Sequence, residues 1–306
     1  MSKLMKKFLV MMVSIMTTFV LTGSIQAKEK PIVTVTTSFL QDMVEQLAGD
    51  DVEIQTIIPA GEDPHLYQAK PQDLKKLKQT DLILYHGLHF EGKMVDLLED
   101  KGVAVSENFK PSEIGQMEED GQQEVDPHFW FDISLYKKAT ERAYQALVKI
   151  MPDQKNKLEE QCAEYLKALD DLDNENRERI TSIPKKQRYL ITPHDAFNYF
   201  SRRYDMPVRS PQGVTTDSEV SNKDIDDTVN FIVDHKIPAI FAESTTDPAR
   251  MKKLQDACAA KGFNVTVIHG EGQELFSDSL APKGQDGDTY IDMYRHNVDL
   301  IVSHLK

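Results

Sequence analysis

After Pro152 the chain runs for thirty residues, to Ser182, without a proline or a glycine. Proline is tolerated in the first turn of a helix, and both residues are the usual helix breakers, so the stretch reads as one uninterrupted helix. Leu158, Cys162, Tyr165, Leu166, Leu169, Leu172 and Ile180 fall mainly on one of its faces. At 1.5 Å per residue such a helix is about 45 Å long, more than one small domain needs. It therefore reads as a tie between two lobes, and 306 residues with 40% hydrophobic side chains are enough to build both. The expected division is a signal over 1–27, a first lobe over 28–150, the connecting helix over 151–183 and a second lobe over 184–306.

Both sides of that helix carry an α/β pattern. Before it, short β-branched or apolar runs at 31–37, 52–58, 81–85 and 103–105 alternate with helical periodicity. Ser38 reads as the cap of a first helix that carries Phe39, Met43, Val44 and Leu47 and stops at Gly49. Further helices fall at 71–79 and 91–101, and another begins at Asp132 or Ser134 and runs to Ile150. After the connecting helix, strands are expected near 188–192, 207–209, 239–242 and 265–268, with helices near 196–204, 222–235 and 248–262. A last amphipathic helix carries Ile291, Tyr294, Val298, Ile301 and Leu305. Strands alternating with helices predict parallel sheets flanked by helices, whose ligands bind beyond the carboxyl ends of the strands.

Three histidines follow prolines near such ends: Asp63-Pro64-His65, Asp126-Pro127-His128 and Pro193-His194. Proline fixes its own φ and holds the preceding residue extended, so each imidazole has a stiff lead-in. Neutral imidazole is a common ligand for transition ions, and the repeated word marks these three as candidate ligands. A lone loop histidine is more often an ordinary surface residue. His86 and His89 also follow a strand but read as packing or supporting residues. His235, His296 and His304 read as structural, and His269 ends a strand. Asp126, Asp195 and Glu243 are candidate acceptors for imidazole N–H groups.

Lys3, Lys6 and Lys7 precede an apolar run over 8–21, too short to span a membrane comfortably, which reads as a secretory signal with cleavage after Ala27. Leu21-Thr22-Gly23-Ser24 looks like a lipoprotein box with serine in place of the cysteine, so attachment through residue 24 is excluded. An engineered change, a soluble secreted form or an uncleaved signal would each explain it. Without 1–27 the charge moves from -14 to -17, with 33 basic residues against 50 acidic. Such a chain lacks the basic patches that nucleic acid or an anionic membrane surface requires. Between 109 and 125 lies an acidic stretch, Glu118 to Glu124, read as a mobile loop without histidine. Cys162 and Cys258, with no Cys-x-x-Cys pair, exclude a zinc ribbon and read as two free thiols.

Taken together, Pro59-Ala60-Gly61-Glu62-Asp63-Pro64-His65, Asp126-Pro127-His128-Phe129-Trp130-Phe131-Asp132, Thr192-Pro193-His194-Asp195-Ala196-Phe197, Ile237-Pro238-Ala239-Ile240-Phe241-Ala242-Glu243-Ser244 and Leu275-Phe276-Ser277-Asp278-Ser279-Leu280 resemble a known family. It is the metal-binding, TroA-like manganese, zinc and iron cluster (A-I) of solute-binding proteins that feed ABC transporters. The resemblance covers 28–306. It implies two lobes, each a parallel sheet flanked by helices, joined by one long rigid helix with a single metal between them. The family's ligand positions fall on His65, His128 and His194, and the fourth on Asp278, which by spacing alone could equally be a helix N-cap.

The resemblance further implies that one manganese, zinc or iron(II) ion is the transported ligand, that the protein is exported to the periplasm or cell surface, that it acts as a monomer, and that its partner is the membrane permease. Members dedicated to zinc often have a histidine-rich acidic loop near 110–125, and those dedicated to manganese often have glutamate where His194 stands. This chain sits between the two patterns. Two other readings stay open on the residues: a surface adhesin, and a mononuclear metallohydrolase. The hydrolase would need an open metal position, and neither His-Glu-x-x-His nor Gly-x-Ser-x-Gly occurs.

Overall fold

The computed structural model describes residues 30–119 and 122–306. The signal expected over 1–27, with its lipoprotein-like box, lies outside the described residues.

Four short strands open the described chain: β1 (Ile32–Val35), β2 (Glu53–Thr56), β3 (Leu82–Tyr85) and β4 (Val103–Ala104). They form one parallel sheet in the order β2-β1-β3-β4, with Val33 opposite both Ile54 and Leu82. All four residues of β3 are buried, the pattern of a strand covered on both faces. The cover comes from helices α1 (Ser38–Ala48), α2 (Pro71–Lys78), α3 (Val95–Glu99) and α4 (Ile133–Ile150). Helix α1 is capped by Thr37, whose hydroxyl accepts from the Leu40 N–H, and not by Ser38 as expected. Ser38 is free to turn its hydroxyl toward a distant segment, where it accepts from the Leu280 N–H at 2.9 Å. Asp132 caps α4 by accepting from the Ser134 N–H.

The acidic stretch expected to be a loop is instead an antiparallel ribbon, β5 (Gln116–Glu119) with β6 (Gln122–Val125). Asp120-Gly121, the dipeptide between them, is one of the stronger hairpin signals in any sequence, and the acidic composition obscured it.

The long helix α5 covers Lys155–Thr181, 27 residues, after a single 3-10 turn at Pro152–Gln154. It is about 40 Å long. Beyond it the α/β pattern resumes as two parallel pairs, β7 (Leu190–Ile191) with β8 (Val208–Arg209) and β9 (Ala239–Phe241) with β10 (Thr266–Ile268). Helices α6 (Asn198–Tyr204), α7 (Asn222–His235) and α8 (Ala249–Ala260) accompany them. These strands are two or three residues long because prolines interrupt the ladders. The Thr192 N–H still reaches Arg209, Pro193 has no N–H to give, and pairing survives only as a lone bridge between His194 and Gln212.

Residues 31–306 form one compact unit. The reason is α9 (Tyr290–Leu305), which returns from the end of the chain to the first half. Tyr290 stacks on Tyr136 with ring centroids 3.7 Å apart, and its hydroxyl donates to the Trp130 carbonyl at 2.5 Å. Tyr294 donates to the Phe131 carbonyl at 2.7 Å. The largest hydrophobic core runs continuously from Val33 through α4 and α5 to Ile301. A second core, built on Val229, Ile240 and Met251, belongs to the second half alone. Cys162 and Cys258 are buried free thiols, as expected.

Candidate metal centre

The repeated Asp-Pro-His word has a local cause. In the first copy the Asp63 carboxylate accepts the His65 N–H at 2.9 Å, and in the second Asp126 accepts the His128 N–H at 3.0 Å. Aspartate bonding the backbone two residues on makes a compact turn that proline stiffens from within. Beyond the turn the copies diverge. Asp126 Oδ1 also lies 2.8 Å from His128 Nδ1, whereas Asp63 takes the hydroxyl of Thr216, from the second half, at 2.5 Å.

These turns, the end of β7 and the segment after β10 bring His65, His128, His194 and Asp278 together, with one donor atom of each within 4.8 Å of all the others. His128, His194 and Asp278 are fully buried, and His65 is 7% exposed. His194 Nδ1 is 2.5 Å from Glu243 Oε2. With Nδ1–H held by a carboxylate, the lone pair of Nε2 is turned inward, and this fixes the tautomer a metal requires. His65 has no carboxylate at its ring; the edge of Phe90 packs against it, with centroids 5.1 Å apart.

All three Nε2 atoms and both oxygens of Asp278 are buried without a hydrogen-bond partner. Asp278 Oδ1 lies 3.3 Å from His128 Nε2, and Oδ2 lies 3.2 Å from His194 Nε2. A tetrahedron of ligands with arms of about 2.0 Å has edges of about 3.3 Å. Two donor pairs have that spacing and the whole set lies within 4.8 Å, so the four side chains could hold one metal ion. His65 is depressed to about 3, chiefly by burial, so its imidazole is neutral. Burial also works against charge on His128 and His194, but Asp126 and Asp278 at one, and Glu243 and Asp278 at the other, outweigh it and raise both. Burial pushes Asp278 up, yet the three imidazoles hold it well below the usual carboxylate range. Protons favoured on His128 and His194 are what an arriving cation would replace.

Of the three expected supporting acids, Asp126 and Glu243 hold imidazoles. Asp195 does not: its carboxylate accepts from the Ser210 hydroxyl at 2.5 Å. His86 is a buried packing residue, 2.7 Å from the Thr37 hydroxyl. His235, His269 and His304 are exposed, and His296 contacts the Glu274 carbonyl. Two supports were not anticipated. The Ser277 hydroxyl donates to Glu243 at 3.1 Å, and Trp130 Nε1 donates to the Ser277 carbonyl at 2.9 Å, pinning the residue before Asp278 to the residue two beyond His128. Ser277 lies inside the quoted motif, but nothing in a sequence joins it to position 130.

A buried three-imidazole, one-carboxylate cluster between two α/β halves tied by one long helix defines the metal-binding class of solute-binding proteins. The family described as ZnuA, zinc-uptake complex component A, periplasmic, matches residues 33–304. The chain belongs to this family and is the substrate-binding component of a metal ABC transporter, not an enzyme. It is 39% identical over 284 residues to the zinc-binding protein TroA of Treponema pallidum, covering 91% of this chain and 90% of that one. It is 35% identical over 300 residues to the manganese-binding lipoprotein MntA of Bacillus subtilis, covering 94% and 96%. A solved TroA structure from work on that protein's metal-binding specificity matches with a TM-score of 0.90 at 59% identity, over 91% of this chain and 100% of the other. The T. pallidum TroA structure matches with a TM-score of 0.84 over 90% and 99%.

Proposed function

We propose that His65, His128, His194 and Asp278 ligate one divalent transition ion, manganese or zinc, with iron(II) as the third candidate, which the protein captures outside the cytoplasmic membrane and hands to its permease. What carries the reading is the set of buried, unpaired donor atoms facing one point, since leaving such atoms unsatisfied is costly unless a partner arrives. Imidazole and carboxylate suit borderline ions, and the lack of thiolate disfavours copper(I). In vitro zinc binds at least as tightly as manganese, following the Irving–Williams order.

The division into 28–150, 151–183 and 184–306 belongs to the same reading. His65 and His128 precede α5, and His194 and Asp278 follow it, so each half contributes two ligands. Export directed by 1–27 agrees with relatives named as periplasmic or as lipoproteins. The protein acts as a monomer, and it meets the membrane through a signal anchor or through the permease.

Titration of the metal-free protein with zinc or manganese is expected to give one ion per chain and to stabilise the fold by about 4 kcal/mol at a thousandfold excess of free ion over Kd. Alanine at any of the four positions should abolish most of that gain. An unchanged melting temperature with either ion would overturn the proposal.

A further inference from the structure

Asp126 supports His128 with one oxygen, and two of the contacts that hold Asp126 come from the other half of the chain. We infer that Asn198 and Tyr199, the first two residues of α6, are positioning residues for metal binding that clamp Asp126 at two points and act on His128 through it. The inference rests on His128 being a ligand.

The first point is the carboxylate. Asp126 Oδ1 is taken up by the backbone and ring of His128, and Oδ2 accepts from Asn198 Nδ2 at 3.2 Å. The same Nδ2 faces the Asp195 carbonyl at 3.1 Å and the Met117 sulfur at 3.1 Å. All three neighbours are acceptors, so the amide nitrogen must be the atom that faces them; the reverse orientation would set its oxygen against a carboxylate and a carbonyl.

The second point is the backbone. Gly115 and Asp126 form the base of the β5-β6 ribbon, where an antiparallel pair normally exchanges two N–H to carbonyl bonds. One is made, from the Asp126 N–H to the Gly115 carbonyl at 2.9 Å. In place of the other stands the Tyr199 hydroxyl, which accepts from the Gly115 N–H at 2.7 Å and donates to the Asp126 carbonyl at 2.9 Å. A phenol from the second half is thus inserted into the last rung of a ribbon from the first half. The tolerance is small: a Cβ at Gly115 would lie 3.2 Å from both Asp126 Cβ and the Tyr199 ring. Tyr199 is 1% exposed. Without the hydroxyl, the Gly115 N–H and the Asp126 carbonyl are free to pair directly, which draws Asp126 toward the ribbon and away from His128. The ribbon itself would survive, so metal affinity should suffer more than the fold.

The test measures zinc and manganese dissociation constants, by chelator competition, for Tyr199→Phe, Asn198→Ala, Asp126→Asn, each double variant with Asp126→Asn, and His128→Ala, with metal-free melting temperatures for all. We expect Y199F and N198A each to weaken binding about tenfold, in the range seen for outer residues of metal sites. In the D126N background each should add less than twofold, because the route through Asp126 is already cut. A purely structural role would lower the metal-free melting temperature and leave affinity alone, and that result overturns the clamp. So does an effect of equal size with and without D126N, or affinities within twofold of the parent while H128A loses binding. If H128A itself binds normally, the ligand assignment fails, and the clamp fails with it.

Discussion

Glutamine at position 243 isolates what a carboxylate does for a metal-binding imidazole. Glu243 is fully buried, 2.5 Å from His194 Nδ1 through Oε2, and Oε1 has no partner. A glutamine of nearly the same shape keeps an oxygen to accept Nδ1–H, so His194 should stay in place with Nε2 facing inward. What is lost is the charge that makes the imidazole a better donor. Removal of such a partner typically costs 10–100-fold in metal affinity, or about 1.4–2.7 kcal/mol. At a free-ion concentration a thousandfold above the parent's Kd, metal-dependent stabilisation should fall from about 4 kcal/mol to between about 2.7 and 1.4 kcal/mol. Two assays read the same quantity: competition with a chromogenic chelator, and denaturant unfolding with buffered zinc. Agreement between them, with unfolding in chelator little changed, is the expected result. A Kd within twofold of the parent's would refute the idea that Glu243 tunes His194, leaving it a packing residue.

Three further outcomes follow from other contacts. Gly92 has φ of 49° and a Cβ there would sit 2.7 Å from the His65 carbonyl, so Gly92→Ala should destabilise the fold by more than about 1 kcal/mol and weaken metal binding, read by unfolding and chelator competition. Glu91, fully buried and accepting from the Thr36 hydroxyl and the His86 N–H, is raised to about 7 by burial. The folded chain therefore binds more protons than the unfolded one between pH 4.5 and 7, and this residue's contribution is fully present below that window and is lost as pH rises through it. Glu91→Gln should gain up to about 3 kcal/mol on the parent between pH 4.5 and 8 in urea unfolding with chelator; a pH-independent difference would contradict this. Finally, acid should release the metal as protons compete for the nitrogens of His128 and His194, whose hold on a proton their carboxylate neighbours raise, and affinity flat from neutral pH to pH 5 would contradict histidine coordination.

The strands and helices were legible because their cause is local. A short apolar run such as Leu82 to Tyr85 fits a covered strand, and the stretch between Pro152 and Ser182 had nothing to break it. The three histidines stood out because proline precedes each, and at two of them a local aspartate turn holds the backbone. His194 has the proline without the aspartate, and Asp278 has neither and rested on the family resemblance alone. What could not be read were the contacts that close across the chain, such as Trp130 with Ser277 or Tyr199 with Asp126. Their partners are 147 and 73 residues apart, and no periodicity encodes them. Ser38 and Thr37 were exchanged as caps for a related reason: both can cap, and the distant Leu280 N–H claims the serine.

The returning helix α9 has a consequence for how the chain comes to be folded. The Asp42 carboxylate, in the first helix, is met by the Tyr290 N–H at 3.0 Å, across 248 residues. Closing so long a loop is slow, and the first core has no complete wall until the final sixteen residues exist. Until that helix is made, the core shared by the two halves lacks one of its walls. The first turn of that helix, which carries Tyr290, is where the last element of the chain meets its first helix.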